Sequence, residues 1–70
     1  MKINSSKEFG EFLRARRKEL GYTQSYLSEL TGLSISFISD VENGKKTVEL
    51  NRSIDLLSML GIDLILEKRI

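Results

Sequence analysis

The chain has 70 residues, of which 40% are apolar and 30% are charged, and its formal net charge is +1. A chain of this length has room for one domain, and its apolar content is typical of a folded globular protein. The absence of Cys and His excludes disulfides, thiolate nucleophiles, imidazole bases and the usual zinc sites, so neither an enzyme nor a cofactor is expected. No apolar stretch approaches the roughly 20 residues that span a bilayer, and the N-terminus carries no export signal. We therefore expect a single cytoplasmic domain without membrane contact.

The first predicted helix covers about residues 6–20. Ser5 or Ser6 can cap its N-terminus, and Gly21 stands where a left-handed C-cap belongs. Apolar side chains recur near helical spacing at Phe9, Phe12, Leu13 and Leu20. This pattern predicts an amphipathic helix with one side against the core.

Two short helices are predicted next, over about residues 24–31 and 35–43. Thr23 and Ser34 can cap their N-termini, and Gly32 between them permits a tight turn. Two short helices joined in this way are typical of a helix-turn-helix unit.

A fourth helix is predicted over about residues 49–60, because apolar residues recur there at spacings of three and four and Gly61 follows them. These residues are Leu50, Ile54, Leu57 and Leu60. The pattern then changes to an alternation typical of a strand, over about residues 62–67. No other strand is predicted, so we expect this one to pair across a homodimer. The residues expected in that contact are Ile62, Leu64, Ile65 and Leu66. Alternatively, the segment continues the fourth helix or docks as an extended tail.

The third helix carries more hydroxyl groups than packing alone requires. The second helix of a helix-turn-helix lies in the major groove of DNA, and here Ile38 and Val41 would hold it to the body. Short hydroxyl groups can exchange hydrogen bonds with bases, and Ile35 can lie against a thymine methyl group. Phe37 contacts either the DNA backbone or the second helix. The candidates for base reading are Ser34, Ile35, Ser36, Ser39 and Asp40.

Other residues are placed to contact the phosphate backbone. Thr23, Gln24 and Ser25 open the second helix, where free N–H groups and the positive end of the helix dipole suit a phosphate oxygen. Lys45 and Lys46 follow the third helix and would add attraction that does not depend on base sequence.

The stretch "YTQSYLSELTGLSISFISDVENGKK" resembles the helix-turn-helix of the phage Cro and repressor family. More narrowly, "RRKELGYTQ", "FISDVENGKKTVELN" and "LGIDLIL" are similar to HipB-type antitoxins. The resemblance implies an all-α, four- to five-helix domain of the lambda-repressor type over residues 1–70, with a C-terminal strand that pairs across a dimer. It also implies that Gln24 contacts the backbone and sometimes a base, that Asn43 touches phosphate, and that Arg17 pairs with Glu42.

The sequence thus predicts a dimeric, sequence-specific repressor that binds a palindromic DNA operator. The resemblance adds that it is the antitoxin of a HipBA-like operon, represses that operon and binds a HipA-like kinase toxin. A stand-alone phage-type or restriction-control repressor is the alternative within the same class. A toxin-binding module without DNA binding is the alternative from another class.

Overall fold

The computed structural model describes residues 2–70, and these form four α-helices joined by short loops. The helices are α1 (Ser6–Glu19), α2 (Gln24–Thr31), α3 (Ile35–Glu42) and α4 (Leu50–Met59). No predicted boundary differs from these by more than one residue. None of the four is long and apolar enough to cross a membrane.

Side-chain oxygens cap the N-terminus of every helix. The hydroxyls of Ser5, Thr23 and Ser34 each accept a hydrogen bond from the backbone N–H three residues further on, at 3.0–3.1 Å. Glu49 does the same for α4, where its two carboxylate oxygens accept from the N–H groups two and three residues further on, both at 3.0 Å. A helix start leaves four N–H groups without partners inside the helix, so these caps define where each helix begins.

One apolar core lies between the helices. Its fully buried members are Leu13, Leu27, Ile38, Val41, Leu56, Leu57 and Leu60. Ile38 and Val41 therefore attach α3 to the body, as the sequence predicted. Truncation of a buried Leu to Ala costs about 2–5 kcal/mol, so this small cluster accounts for much of the fold's stability.

The buried face of α4 differs from the predicted one. Leu57 is buried as expected, but Leu50 and Ile54 are exposed, whereas Ser53 and Leu56 face the core. The Ser53 hydroxyl donates to a backbone carbonyl one turn earlier, at 3.0 Å. This bond satisfies its polar group and explains how a serine is accommodated on the buried side.

Helices α1 and α3 approach each other closely at Gly10. A Cβ atom on this residue would overlap the carbonyl oxygen of Val41 and lie 2.7 Å from that of Glu42. A glycine inside a helix costs about 1 kcal/mol relative to alanine. The close contact with the backbone of α3 is the reason that only glycine fits here.

The C-terminal residues 62–70 form neither a strand nor a further helix in the single chain. Ile62 packs against the core, while Leu64, Ile65 and Leu66 are 50%, 72% and 89% exposed. The proposed continuation of α4 is wrong, because that helix ends at Met59 and the following Gly61 has φ +67°. A strand needs a neighbouring backbone, so pairing across a homodimer stays a prediction.

Candidate nucleic-acid interface

The turn between α2 and α3 is held by a left-handed glycine and two hydroxyl groups. Gly32 has φ +75° and donates its N–H to the carbonyl of Ser28 at 2.9 Å. The Ser28 hydroxyl donates to the carbonyl of Leu33 at 2.6 Å, and the Thr31 hydroxyl accepts from the Leu33 N–H at 3.1 Å. These bonds fix the direction in which the chain enters α3.

Helix α3 has one buried side and one open side. Ile38 and Val41 are 0% and 1% exposed, so they anchor the helix. Ser34, Ile35 and Ser36 at its N-terminal end are exposed, with Ile35 at 46%. The predicted base-reading end of α3 is therefore open on the surface of the chain.

Several of the predicted DNA contacts already have partners within the chain. Ser34 is the N-cap of α3, and the half-buried Ser39 accepts from the Asn43 amide at 3.2 Å. The half-buried Asp40 forms an ion pair with Lys45 at 3.4 Å. A DNA contact at any of these five residues would replace or share an existing bond.

Phe37 differs from its neighbours on α3. Its side chain is half-buried and packs against the core. The sequence left two roles open for Phe37, packing and a contact with the DNA backbone, and the structure shows the packing.

The predicted phosphate contacts lie around the two helix ends. Ser25 is exposed in the first turn of α2, and the Thr23 hydroxyl is engaged as the cap of that helix. Asn43 is the exposed C-cap of α3. Lys45 and Lys46 are exposed in the loop that follows. Exposed polar groups are thus present at the start of α2 and directly after α3.

Arg17 and Glu42 join α1 to the end of α3 through a buried ion pair. Arg17 Nε and Nη2 donate to the two carboxylate oxygens of Glu42 at 2.6 and 3.0 Å. The two side chains are 9% and 3% exposed, and Arg17 Nη1 also donates to the carbonyl of Tyr22 at 2.8 Å. The hydrogen bonding with Glu42 raises the pKa of Arg17, although burial acts to lower it. The pair that the resemblance implied is thus present and helps to hold α3 in place.

Gln24 adds a hydrogen bond to the buried pair of Arg17 and Glu42. Its side-chain Nε2 donates to Glu42 Oε1 at 3.1 Å, and the residue is half-buried at the start of α2. Every buried side-chain nitrogen and oxygen in residues 2–70 has a hydrogen-bond partner. Nothing in the local sequence around Gln24 predicts this bond, because its two residues belong to different helices.

Comparison with known families identifies the two-helix unit. The model of the helix-turn-helix family matches residues 13–66. A relative in Sinorhizobium fredii, described as the uncharacterized HTH-type transcriptional regulator y4mF, is 32% identical over 60 residues. The matched segment covers 86% of this chain and 79% of the relative.

Solved structures of HipB share the fold over nearly the whole chain. A HipB–O4 20mer complex and a HipA–HipB–O2–O3 complex each superpose with a TM-score of 0.88 at 26% identity, covering 97% of this chain and 96% of the other. A HipB–O1–O2 complex superposes with a TM-score of 0.90 at 26% identity, covering 97% and 99%.

Proposed function

Because the chain belongs to the helix-turn-helix family of DNA-binding transcriptional regulators, we propose that it is a sequence-specific repressor and the antitoxin of a HipBA-like operon. In this role it binds a palindromic operator in double-stranded DNA and represses its own operon. It also binds a HipA-like kinase toxin. The structural relatives that support the antitoxin role are HipB complexes, one of which includes HipA.

The observation that carries the DNA-binding role is the two-sided character of α3. Ile38 and Val41 are buried, while Ser34, Ile35 and Ser36 form an exposed end. In a helix-turn-helix this end enters the major groove, where serine hydroxyls reach base edges and an exposed Ile fits a thymine methyl group. Ser39 and Asp40 lie further along the same helix and contact bases only if they exchange their present partners.

The residues around α3 supply attraction to the phosphates. The free N–H groups at the start of α2, next to Thr23 and Ser25, suit a phosphate oxygen. Within residues 2–70, Lys46 is exposed and forms no ion pair, whereas Lys45 is partly neutralised by Asp40. Lys46 therefore contributes more to the sequence-independent part of binding. Asn43 contacts the backbone between these groups.

The C-terminal segment supports a homodimer. Leu64, Ile65 and Leu66 are largely exposed, and their backbone has no strand partner in one chain. Pairing of residues 62–67 with the same segment of a second copy would cover these side chains and satisfy the backbone. Two α3 helices would then read half-sites about 34 Å apart, one turn of DNA.

A mobility-shift assay with the DNA upstream of the gene tests the proposal. We expect a sequence-selective complex that weakens steeply as salt increases, because phosphate contacts release counterions. Failure to distinguish the upstream DNA from unrelated DNA at low salt would contradict the repressor role. If the protein then still co-purified with a kinase-like protein encoded beside it, it would be a toxin-binding module without DNA binding.

The neighbouring genes separate the antitoxin from a stand-alone repressor. An adjacent reading frame for a HipA-like kinase, and a stable complex when the two proteins are produced together, are the expected results. Selective DNA binding without such a partner, beside phage or restriction-modification genes, would support a stand-alone repressor and contradict the antitoxin role.

A further inference from the structure

Asn43 and Gly44, where α3 ends, form a chemically reactive dipeptide. Asparagine is a thermally labile residue, because the backbone nitrogen of the next residue can attack its side-chain amide. A bond then forms between that nitrogen and Cγ, the bond from Cγ to the amide nitrogen breaks, and ammonia leaves. Water opens the resulting cyclic imide to aspartate or isoaspartate. A following glycine favours the attack, since it has no side chain to shield its nitrogen, and Asn43 alone among the asparagines precedes a glycine.

The packing of the fold requires glycine at position 44. Gly44 has φ +78°, a conformation that other residues rarely adopt. A Cβ atom there would also lie 2.8 Å from the Cα atom of Lys7 at the start of α1. The contact between this turn and α1 therefore retains the neighbour that makes Asn43 reactive.

The folded turn opposes the attack in three ways. Asn43 has ψ 2°, so the nitrogen of Gly44 nearly eclipses the backbone nitrogen of Asn43 and is turned away from its side chain. The same Gly44 N–H donates to the carbonyl of Val41 at 3.1 Å. The Asn43 amide in turn donates to the Ser39 hydroxyl at 3.2 Å. The reaction therefore requires this turn to open locally.

We propose that Asn43 is a deamidation site protected by the folded C-terminal turn of α3, and that its conversion to aspartate or isoaspartate switches off operator binding. The second part of this inference rests on the proposed DNA-binding function. The first part concerns the free protein and is independent of DNA.

Both products would disturb the surface proposed to meet DNA. Aspartate places a negative charge where Asn43 is proposed to contact a phosphate, and it removes the amide donor. Isoaspartate also lengthens the main chain by one carbon atom directly before Gly44. That change would shift Gly44 from Lys7 and from the Ser6 hydroxyl, which donates to the Gly44 carbonyl at 2.9 Å.

Peptide mapping by mass spectrometry tests the first part. The protein is incubated in one mildly alkaline buffer, either folded or unfolded by guanidinium chloride. In the unfolded chain, Asn43 should convert faster than Asn4 and Asn51, which precede Ser5 and Arg52. In the folded protein its conversion should be at least about tenfold slower, because two hydrogen bonds must break first. Equal rates for the three asparagines when unfolded, or no slowing on folding, would contradict the proposal.

A variant of the capping partner tests how the turn protects the site. Ser39→Ala removes the acceptor of the Asn43 amide. It should speed conversion in the folded protein about two- to fivefold, the usual effect of one hydrogen bond, and leave the rate in the unfolded chain unchanged. Ser58→Ala, at an exposed position of α4, is the matched control and should alter neither rate. The same acceleration in both variants would exclude a protective role of the bond.

Mobility shifts with Asn43→Asp test the second part. This variant should bind the operator at least about tenfold more weakly than the wild type, the usual effect of losing a hydrogen bond to a charged group. Asn51→Asp adds the same charge at an exposed position of α4 and should lose much less affinity. Isoaspartate protein, collected from the unfolded incubation and refolded, should bind no better than Asn43→Asp.

The outcomes separate this inference from the proposed function. If Asn43→Asp bound the operator as tightly as the wild type, the switch would be wrong and the repressor role would stand. If the wild type bound no DNA selectively, the repressor role and the switch would both fail. Mass spectrometry alone decides whether the fold protects Asn43.

Discussion

At the scale of single residues, the buried pair of Arg17 and Glu42 has the largest expected effect. Its geometry is bidentate, at 2.6 and 3.0 Å, and the two side chains are nearly inaccessible. The raised pKa of Arg17 adds stability that is fully present below the pKa of the unfolded state and is lost only as pH rises through the folded value. This loss of stability occurs only in strong alkali. Titration of Arg17 should therefore cause no change of stability around neutral pH.

Arg17→Ala should lower the free energy of unfolding by about 3–5 kcal/mol, because it leaves the buried Glu42 carboxylate without its cation. Urea unfolding followed by circular dichroism measures this change. Arg14→Ala is the matched control on the exposed side of α1, where a change within about 0.5 kcal/mol is expected. If Arg17→Ala altered neither stability nor DNA affinity, the structural role of the pair would be wrong.

The exposed end of α3 and the following lysines should differ in their effect on DNA binding. Ser36→Ala should relax base preference at one position and leave binding to unrelated DNA nearly unchanged, because we propose that its exposed hydroxyl contacts a base edge. Lys46→Ala should weaken binding to all sequences and reduce the slope of log K against log salt by about one. Titrations at several salt concentrations measure both. An equal loss at Ser36 for every duplex would place that hydroxyl on the backbone.

At the scale of helices, Gly10 decides how closely α1 and α3 can pack. The backbone carbonyls of Val41 and Glu42 occupy the space that a side chain would need. Since Glu42 is the last residue of α3, a shift there would also disturb the ion pair with Arg17. The close approach thus links helix packing to the placement of the DNA-facing helix.

Gly10→Ala should destabilise the protein by at least about 1–3 kcal/mol, the usual cost of overpacking. This result is opposite to the helix propensity of alanine, which would stabilise an exposed site by about 1 kcal/mol. Thermal unfolding gives the sign directly. Ala15→Gly, at an exposed position of the same helix, is the control. It should destabilise the protein only because glycine has a lower helix propensity than alanine. Stabilisation by Gly10→Ala would show that α1 and α3 can separate without cost.

The starts and ends of the helices were predictable because they depend on neighbouring residues. Thr23 and Ser34 cap as predicted, and Gly32 adopts the left-handed conformation at the turn. The buried face of α4 was less predictable. Spacing alone favoured Leu50 and Ile54, but the position of the other helices placed Leu56 against the core instead.

At the scale of the whole molecule, the C-terminal segment is the proposed dimer contact. Residues 64–66 are the most exposed apolar run of the described chain, and they follow directly from the half-buried Ile62. Exposed backbone and apolar side chains together favour pairing with a second copy. The two copies are needed for a palindromic site, so dimerisation and operator affinity should change together.

Replacing both Leu64 and Ile65 by Asp should convert the proposed dimer to a monomer and abolish tight binding to a palindrome. Adjacent residues of a strand face opposite sides, so one of the two charges lies in the contact whichever face is buried. Both positions are exposed in the single chain, and the monomer should therefore stay folded. Light scattering after size exclusion measures the mass. Ile70→Asp, beyond the predicted strand, is the control, and an unchanged mass for the double variant would exclude this mode of pairing.

The sequence by itself determined the four helices, the N-caps of α2 and α3 and the glycine turn of the helix-turn-helix, because each depends on bonds between residues close together in the chain. The tertiary structure alone decided which side of α4 is buried, why Gly10 has no side chain, and how Gln24 is anchored on Glu42. These features arise from contacts between distant segments, and local patterns carry no information about the distance at which two helices meet. The pair of Arg17 and Glu42 lies between the two cases, since a family resemblance indicated it and only the packing of α1 on α3 shows its geometry.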